Sequence, residues 1–210
     1  MTEEEFSAAF EGLPHNQAAE NNKKPIFEAW NRLGLSRHSV FEIGSGTGQQ
    51  GIFLCSKLPE LYWFPSEVTT NLPTLKLWYK AAIGVGVDNF SSPIDFDIEQ
   101  GDFPSEKFSL VYTSNVLHIV SNQLAQCLIE RVNERLENGQ YFVCYGPFKV
   151  NNAFTTESNK EFDHWLKMQG YGGLLDISQI ENWSRDQLKL KHKEPMPANN
   201  FLLLFEKTAE

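Results

Sequence analysis

Apolar positions along the chain alternate between two patterns. Short, mostly apolar runs, which read as buried strands, occur at 39–43, 61–66, 108–113 and 140–145, with a weaker one at 93–98. Between them, apolar residues recur at helical spacing. Ile26, Trp30 and Leu33 form one stripe, ended by Gly34, with Pro25 suited to a first helical position. A second helix is predicted over 51–58, closed by Pro59. A third, opened by Pro73, carries Leu75, Trp78, Tyr79 and Ala82 and ends at Gly84 and Gly86. A fourth places Leu124, Cys127, Leu128, Val132 and Leu136 on one face and stops at Asn138-Gly139. Phe6 and Phe10 would share one face of a short leading helix.

The alternation breaks after Tyr145. Residues 146–178 hold two helical patterns, one opened by a capping box, Ser158-x-x-Glu161. Two strand patterns, 188–191 and 201–206, follow, joined by PMPANN. That connection is too short for a helical crossover, so the last pair should be antiparallel. Strands alternating with helices predict an α/β fold: a mostly parallel seven-stranded sheet with helices on both faces and a C-terminal antiparallel hairpin. One domain should span 1–210, with 1–12 flexible and 146–178 forming a helical insert over the site.

Composition narrows the function. Charged residues make up 21% and the net charge is −9, so the surface should repel nucleic acid and anionic membranes. KLKHK at 189–193 is too short to offset this and is followed by Glu194. The start, MTEEEF, lacks the apolar run of a signal peptide, and no stretch approaches the ~20 apolar residues of a membrane span. Cys55, Cys127 and Cys144 are odd in number and far apart, which suits buried free thiols in a reducing compartment. A cytoplasmic protein is expected. CxxC, HExxH and GxSxG are missing, so zinc and serine-hydrolase chemistry have little support and no metal is expected.

The stretch that carries chemistry is EIGSGTGQQG, 42–51, at the end of the first strand. Two glycine spacings overlap in it. Gly44-x-Gly46-x-Gly48 after Glu42 resembles the first motif of S-adenosylmethionine (SAM) methyltransferases. Gly46-x-Gly48-x-x-Gly51 is the dinucleotide fingerprint. Both need glycine so that backbone can approach a ligand closely, and both aim a helix N-terminus at a negative group. Three features favour SAM. Glu42 beside the loop suits the methionine ammonium and would repel a pyrophosphate. Gly44 follows the strand more directly than Gly46. Asp97, with Ile98 beside it, is expected to end the third strand, where methyltransferases commonly place an acid to accept the adenine amino group. Glu67 ends the second strand and would bind the ribose hydroxyls in either reading. The predicted cofactor contacts are Glu42, Gly44, Ser45, Gly46, Gly48, Glu67, Asp97, Ile98 and Asn115.

Five β/α units ending in a hairpin resemble the Rossmann-like fold of class I SAM-dependent methyltransferases. More narrowly, the chain resembles the methyltransferase-like 26 family. The matching pieces are AAENNKKPI (18–26), VFEIGSGTGQQ (40–50), LPELYWFPSE (58–67), SNVLHI (114–119), YGPF (145–148), TTESNKEFD (155–163) and MPANN (196–200). The resemblance implies a SAM-binding fold over one complete domain and implies little about the methyl acceptor. Three positions depart from it. The family usually has Asp at Glu67, Arg at Asn21 and His at Gln50.

Methyl transfer is an in-line displacement at an activated donor, so positioning supplies much of the acceleration. Asn115 and His118 follow the fourth strand, where a transferred methyl should project. A base is needed only if the nucleophile must lose a proton, and His118 is the candidate. Its apolar neighbours in NVLHIV equally suit a structural histidine. The Asn-Pro-Pro-Tyr of many amide and adenine methyltransferases is missing here, which lowers that substrate class. Tyr145, at the end of the fifth strand, and Asn199 and Asn200, before the last, are candidate substrate contacts; the asparagines also suit a turn. Phe154, Phe162, Trp165 and Tyr171 make the insert aromatic, as helix packing or as a lid. The expected function is SAM-dependent methyl transfer to a small molecule or protein side chain. The alternatives are a SAM-binding scaffold that has lost catalysis and a nicotinamide-dependent oxidoreductase.

Overall fold

The computed structural model of this protein describes residue 6 and residues 8–209, so the acidic run 3–5 lies outside the described residues. Seven strands form one mixed sheet in the order β3-β2-β1-β4-β5-β7-β6. The chain divides into two compact units. The first comprises residues 1–97 and 106–108, and the second residues 98–105 and 109–210.

The first unit holds α1 (Gln17–Arg32), β1 (Ser39–Ile43), α2 (Gln49–Lys57), β2 (Tyr62–Glu67), α3 (Leu72–Gly84) and β3 (Ile94–Asp95). The first helix begins eight residues before Pro25. Asn16 caps it by accepting the Ala19 N–H at 3.0 Å, and Pro25 sits inside. Proline removes one helical donor, but the buried stripe of Ile26, Ala29 and Trp30 holds the helix through it. After Ser39, β1 is buried throughout, as a strand in the middle of a sheet should be. It pairs in parallel with β2, from Ser39 opposite Tyr62 to Ile43 opposite Ser66. Pro65 is an unusual residue for an inner strand because it cannot donate to the ladder. Beside it, the Ser66 hydroxyl donates to the Glu42 carbonyl at 2.6 Å.

The third strand is shorter than the 93–98 predicted. Only Ile94 and Asp95 pair, opposite Ser66 and Glu67. Asp95, not Asp97, ends it.

The second unit holds β4 (Leu110–Ser114), α4 (Asn122–Arg135), β5 (Tyr141–Gly146), α5 (Glu157–Met168), α6 (Ile177–Trp183), β6 (Leu188–Met196) and β7 (Asn200–Lys207). β4 and β5 are parallel; β7 runs antiparallel to both β5 and β6. The closing hairpin is therefore as predicted, although β6 reaches Met196 and only Pro197–Asn199 separates the strands. The capping box expected at Ser158 and Glu161 does not form. Thr156 caps α5, accepting the Asn159 N–H at 3.2 Å, and Ser158 lies inside the helix. A capping box opens α6 instead, from Asp176 and Gln179. Among the described residues, no helix is long and apolar enough to cross a membrane.

Candidate active site

In the first unit, the glycine loop is laced to the end of β2. Gly44, Gly46 and Gly48 have φ of 74°, 59° and 83°, a left-handed region that favours glycine. The Ser45 N–H donates to the Ser66 carbonyl at 2.9 Å, and the Ser66 N–H donates to Ser45 Oγ at 3.0 Å. The Gly46 N–H donates to Glu67 Oε1 at 2.8 Å. A Cβ on Gly46 would meet no atom within 4 Å, so its loop faces open space. A Cβ on Gly51 would lie 2.5 Å from Trp63 Nε1, so Gly51 is a packing glycine. That role also belongs to the third glycine of the dinucleotide fingerprint, so Gly51 does not separate the two readings.

The acids around the loop differ in state. Glu67 ends β2, is nearly buried and accepts three hydrogen bonds: from Gly46 N–H, Val68 N–H and Asn71 Nδ2. A carboxylate offers about four lone-pair sites, so acceptor capacity remains. Glu42 is buried, and its Oε2 accepts the Trp63 indole N–H at 2.8 Å. Burial pushes its carboxyl up to about 7, against the hydrogen bonds from Trp63 and Ser45. Asp97 lies two residues beyond β3. The acid at the strand end, Asp95, accepts the Thr69 hydroxyl on both oxygens, at 3.0 and 2.8 Å.

Gly48 precedes α2 with no side-chain cap. The following Gln49 was missed by sequence reasoning. Its Oε1 accepts the Asn16 N–H at 2.7 Å and the Thr47 hydroxyl at 2.8 Å, and its amide donates to Glu20 at 3.1 Å. It thereby ties the start of α1 to the loop. Asn21, where the resembled family has Arg, accepts from Gln17 at 2.9 Å.

In the second unit, residues from four distant sequence pieces meet. Asn115 follows β4 at φ 57°, held by its N–H on the Tyr145 carbonyl at 2.9 Å. Both side chains come close to Gly146: the place a Cβ would occupy is 3.5 Å from His118 Nδ1 and 3.7 Å from Asn115 Oδ1. His118 is only 7% exposed, and Phe162 of α5 meets its ring edge-on at 5.7 Å. Burial pushes its imidazole down to about 4, so it is neutral at pH 7. The Tyr145 hydroxyl accepts from Asn200 Nδ2 at 3.0 Å. Asn199, at φ 58°, donates to Ser158 Oγ at 3.2 Å, and its carbonyl accepts from Asn159 at 3.1 Å. Ile98 is buried, and its carbonyl accepts from the Arg131 guanidinium. Thus YGPF, MPANN, SNVLHI and the Ser158–Asp163 stretch are one cluster in space. The hub is the hairpin turn at Asn199, which holds α5 in place.

A family model matches residues 13–207. The chain belongs to the family described as protein of unknown function (DUF938). The family description assigns no activity, so solved structures supply the comparison. An O-methyltransferase family 2 protein from Planctomyces limnophilus, solved with apigenin, superposes with a TM-score of 0.71 at 17% identity, covering 81% of this chain and 51% of that one. Human N-acetylserotonin methyltransferase in complex with SAM gives 0.71 at 13% identity, covering 90% and 52%. An O-methyltransferase family protein from Burkholderia thailandensis gives 0.73 at 16% identity, covering 89% and 56%. The DUF938 chain therefore has the class I methyltransferase fold predicted from its sequence, and it spans about half the length of these structures.

Proposed function

We propose that this protein, in line with its resemblance to the methyltransferase-like 26 family, is a SAM-dependent methyltransferase acting on a small molecule or a protein side chain. The observation that carries the reading is the bond from Gly46 N–H to Glu67 at 2.8 Å, which joins the glycine loop to the acid ending β2. SAM fits the residues present. The loop facing open space beyond Gly46 admits a ligand against its backbone. The uncapped start of α2 suits the methionine carboxylate. Glu67 keeps acceptor capacity for a ribose hydroxyl. Asp97 and Ile98 are assigned to the adenine, and Asn115 to the methionine part. Bound there, SAM supplies an activated sulfonium methyl that an acceptor lone pair displaces, leaving a thioether. His118 and Tyr145 then serve the acceptor, with Asn199 and Asn200 fixing Tyr145 and α5. The free cysteines support a reducing compartment, the cytoplasm.

A second reading is a SAM-binding scaffold without catalysis, which Asn21 in the place of Arg favours. Transfer of labelled methyl from SAM into any cell-extract component would exclude it.

Thermal unfolding with S-adenosylhomocysteine tests the cofactor. At about 100 times its dissociation constant, the ligand should add roughly 2.7 kcal/mol, a shift of about 5–10 °C. The shift should shrink in Glu67→Ala. No shift at millimolar ligand would reject the reading.

A further inference from the structure

The end of β4 carries three polar side chains without hydrogen-bond partners among the described residues. The Ser114 hydroxyl is buried and unpaired. Neither the Asn115 amide nor the His118 imidazole bonds to another side chain or to the backbone, although His118 is more than nine-tenths buried. A buried polar group left unpaired costs about 1–3 kcal/mol. A protein keeps such groups where something else supplies the partner. Two of them converge. Asn115 Oδ1 and His118 Nδ1 lie 3.7 and 3.5 Å from the empty Cβ position of Gly146. With the imidazole proton on Nε2, both are acceptors, so the complementary group is a donor.

The wall beside them is aromatic. Phe162 meets the His118 ring, and Trp165 stacks on Phe162 at 5.9 Å with the planes 11° apart. Trp165 is 52% exposed, and Ile119 and Tyr171 are also exposed. The wall is firmly placed, because the Gly172 and Gly173 N–H groups donate to the Val120 and His118 carbonyls. Asp163, the buried acid on α5, is already satisfied by Lys167 at 2.7 Å and the Leu174 N–H at 2.8 Å. With these bonds made, Asp163 offers no free charge to an ionic ligand, whose burial would be costly.

We infer that this cluster binds a neutral planar aromatic molecule through one O–H or N–H donor, which reaches Asn115 Oδ1 and His118 Nδ1 beside Gly146 while the ring lies along Phe162 and Trp165. As the methyl acceptor of this protein, that donor atom would attack the sulfonium methyl of SAM, its proton passing to His118 Nδ1 and on to solvent while S-adenosylhomocysteine leaves as the thioether. The assignment as acceptor rests on the methyltransferase reading; the binding site does not.

The test is a titration of the full chain with 2-naphthol and with 2-methoxynaphthalene, which has the same ring and no donor. Imidazole nitrogen NMR and tryptophan fluorescence report binding. The naphthol should shift one histidine, identified by its loss in His118→Phe, and bind at least tenfold tighter than the ether. His118→Phe should abolish that preference. Trp165→Ala, at an exposed position, should weaken both probes several-fold without changing the melting temperature, and keeps the test valid if His118→Phe fails to fold. Equal binding of the two probes, or naphthol binding unchanged in either variant, would overturn the inference. S-adenosylhomocysteine is run on the same samples. A thermal shift with that ligand but no naphthol binding rejects this site and leaves the methyltransferase reading standing. Naphthol binding without that shift upholds the site and rejects the methyltransferase reading.

Discussion

The indole N–H of Trp63 donates to the buried carboxyl of Glu42 at 2.8 Å, in room left by the missing Cβ of Gly51. The bond makes the acid of the glycine motif part of the core. Its carboxyl has an ordinary value of 4.5 and is pushed up to about 7 by burial. Below pH 4.5 both folded and unfolded chains hold the proton, and the group costs nothing. As pH rises from 4.5 to 7, the unfolded chain releases the proton first, so stability falls by roughly 3 kcal/mol and then levels off. Glu42→Gln keeps an acceptor for Trp63 and cannot ionise. Urea unfolding at pH 5 and pH 8 should show a smaller decline in the variant than in wild type. Equal declines would mean that Glu42 titrates normally.

His118 acts in the opposite direction. Its imidazole has an ordinary value of 6.5 and is pushed down to about 4 by burial. Its contribution is fully present above pH 6.5. It is lost as pH falls through 6.5 to 4, because the unfolded chain takes up the proton first. The loss is again roughly 3 kcal/mol. His118→Phe should flatten the acid side of the stability profile between pH 6.5 and 4. An unchanged acid limb would show that the ring titrates alike in the folded and the unfolded chain.

Ser114 provides a check on the unpaired hydroxyl. Ser114→Ala removes a buried group that has no partner, so the ligand-free protein should gain about 1 kcal/mol, or ~2–4 °C in Tm. A loss of stability would show that the hydroxyl is paired in solution.

Gly46 and Gly48 separate folding from binding. Ala at Gly46 costs the left-handed backbone term, about 1–2 kcal/mol, and meets no protein atom. Ala at Gly48 also drives a Cβ to 2.7 Å from Leu75 Cδ1. Gly48→Ala should therefore lower Tm more than Gly46→Ala. Gly46→Ala should still lose most of the shift caused by S-adenosylhomocysteine. Retention of the full shift in Gly46→Ala would remove the loop from the cofactor site.

The sequence by itself determined the sheet's composition, the position of the glycine loop and the antiparallel close. These depend on local properties: short, mostly apolar runs, glycine spacing and a connection too short for a crossover. Element ends were less legible, because they depend on what packs where. Pro25 reads as a helix start, yet the buried face of Ile26, Ala29 and Trp30 carries the helix through it. Residues 93–98 read as a strand, yet only Ile94 and Asp95 find ladder partners. Ser158 reads as a cap, yet Thr156 takes that role and Ser158 receives a bond from Asn199, 41 residues away. The tertiary structure alone decided that Glu42 faces Trp63, that Glu67 holds Gly46, and that His118 and Asn115 come together beside Gly146. Burial and pairing between residues distant in the chain set the state of each of these groups, and no local pattern encodes them.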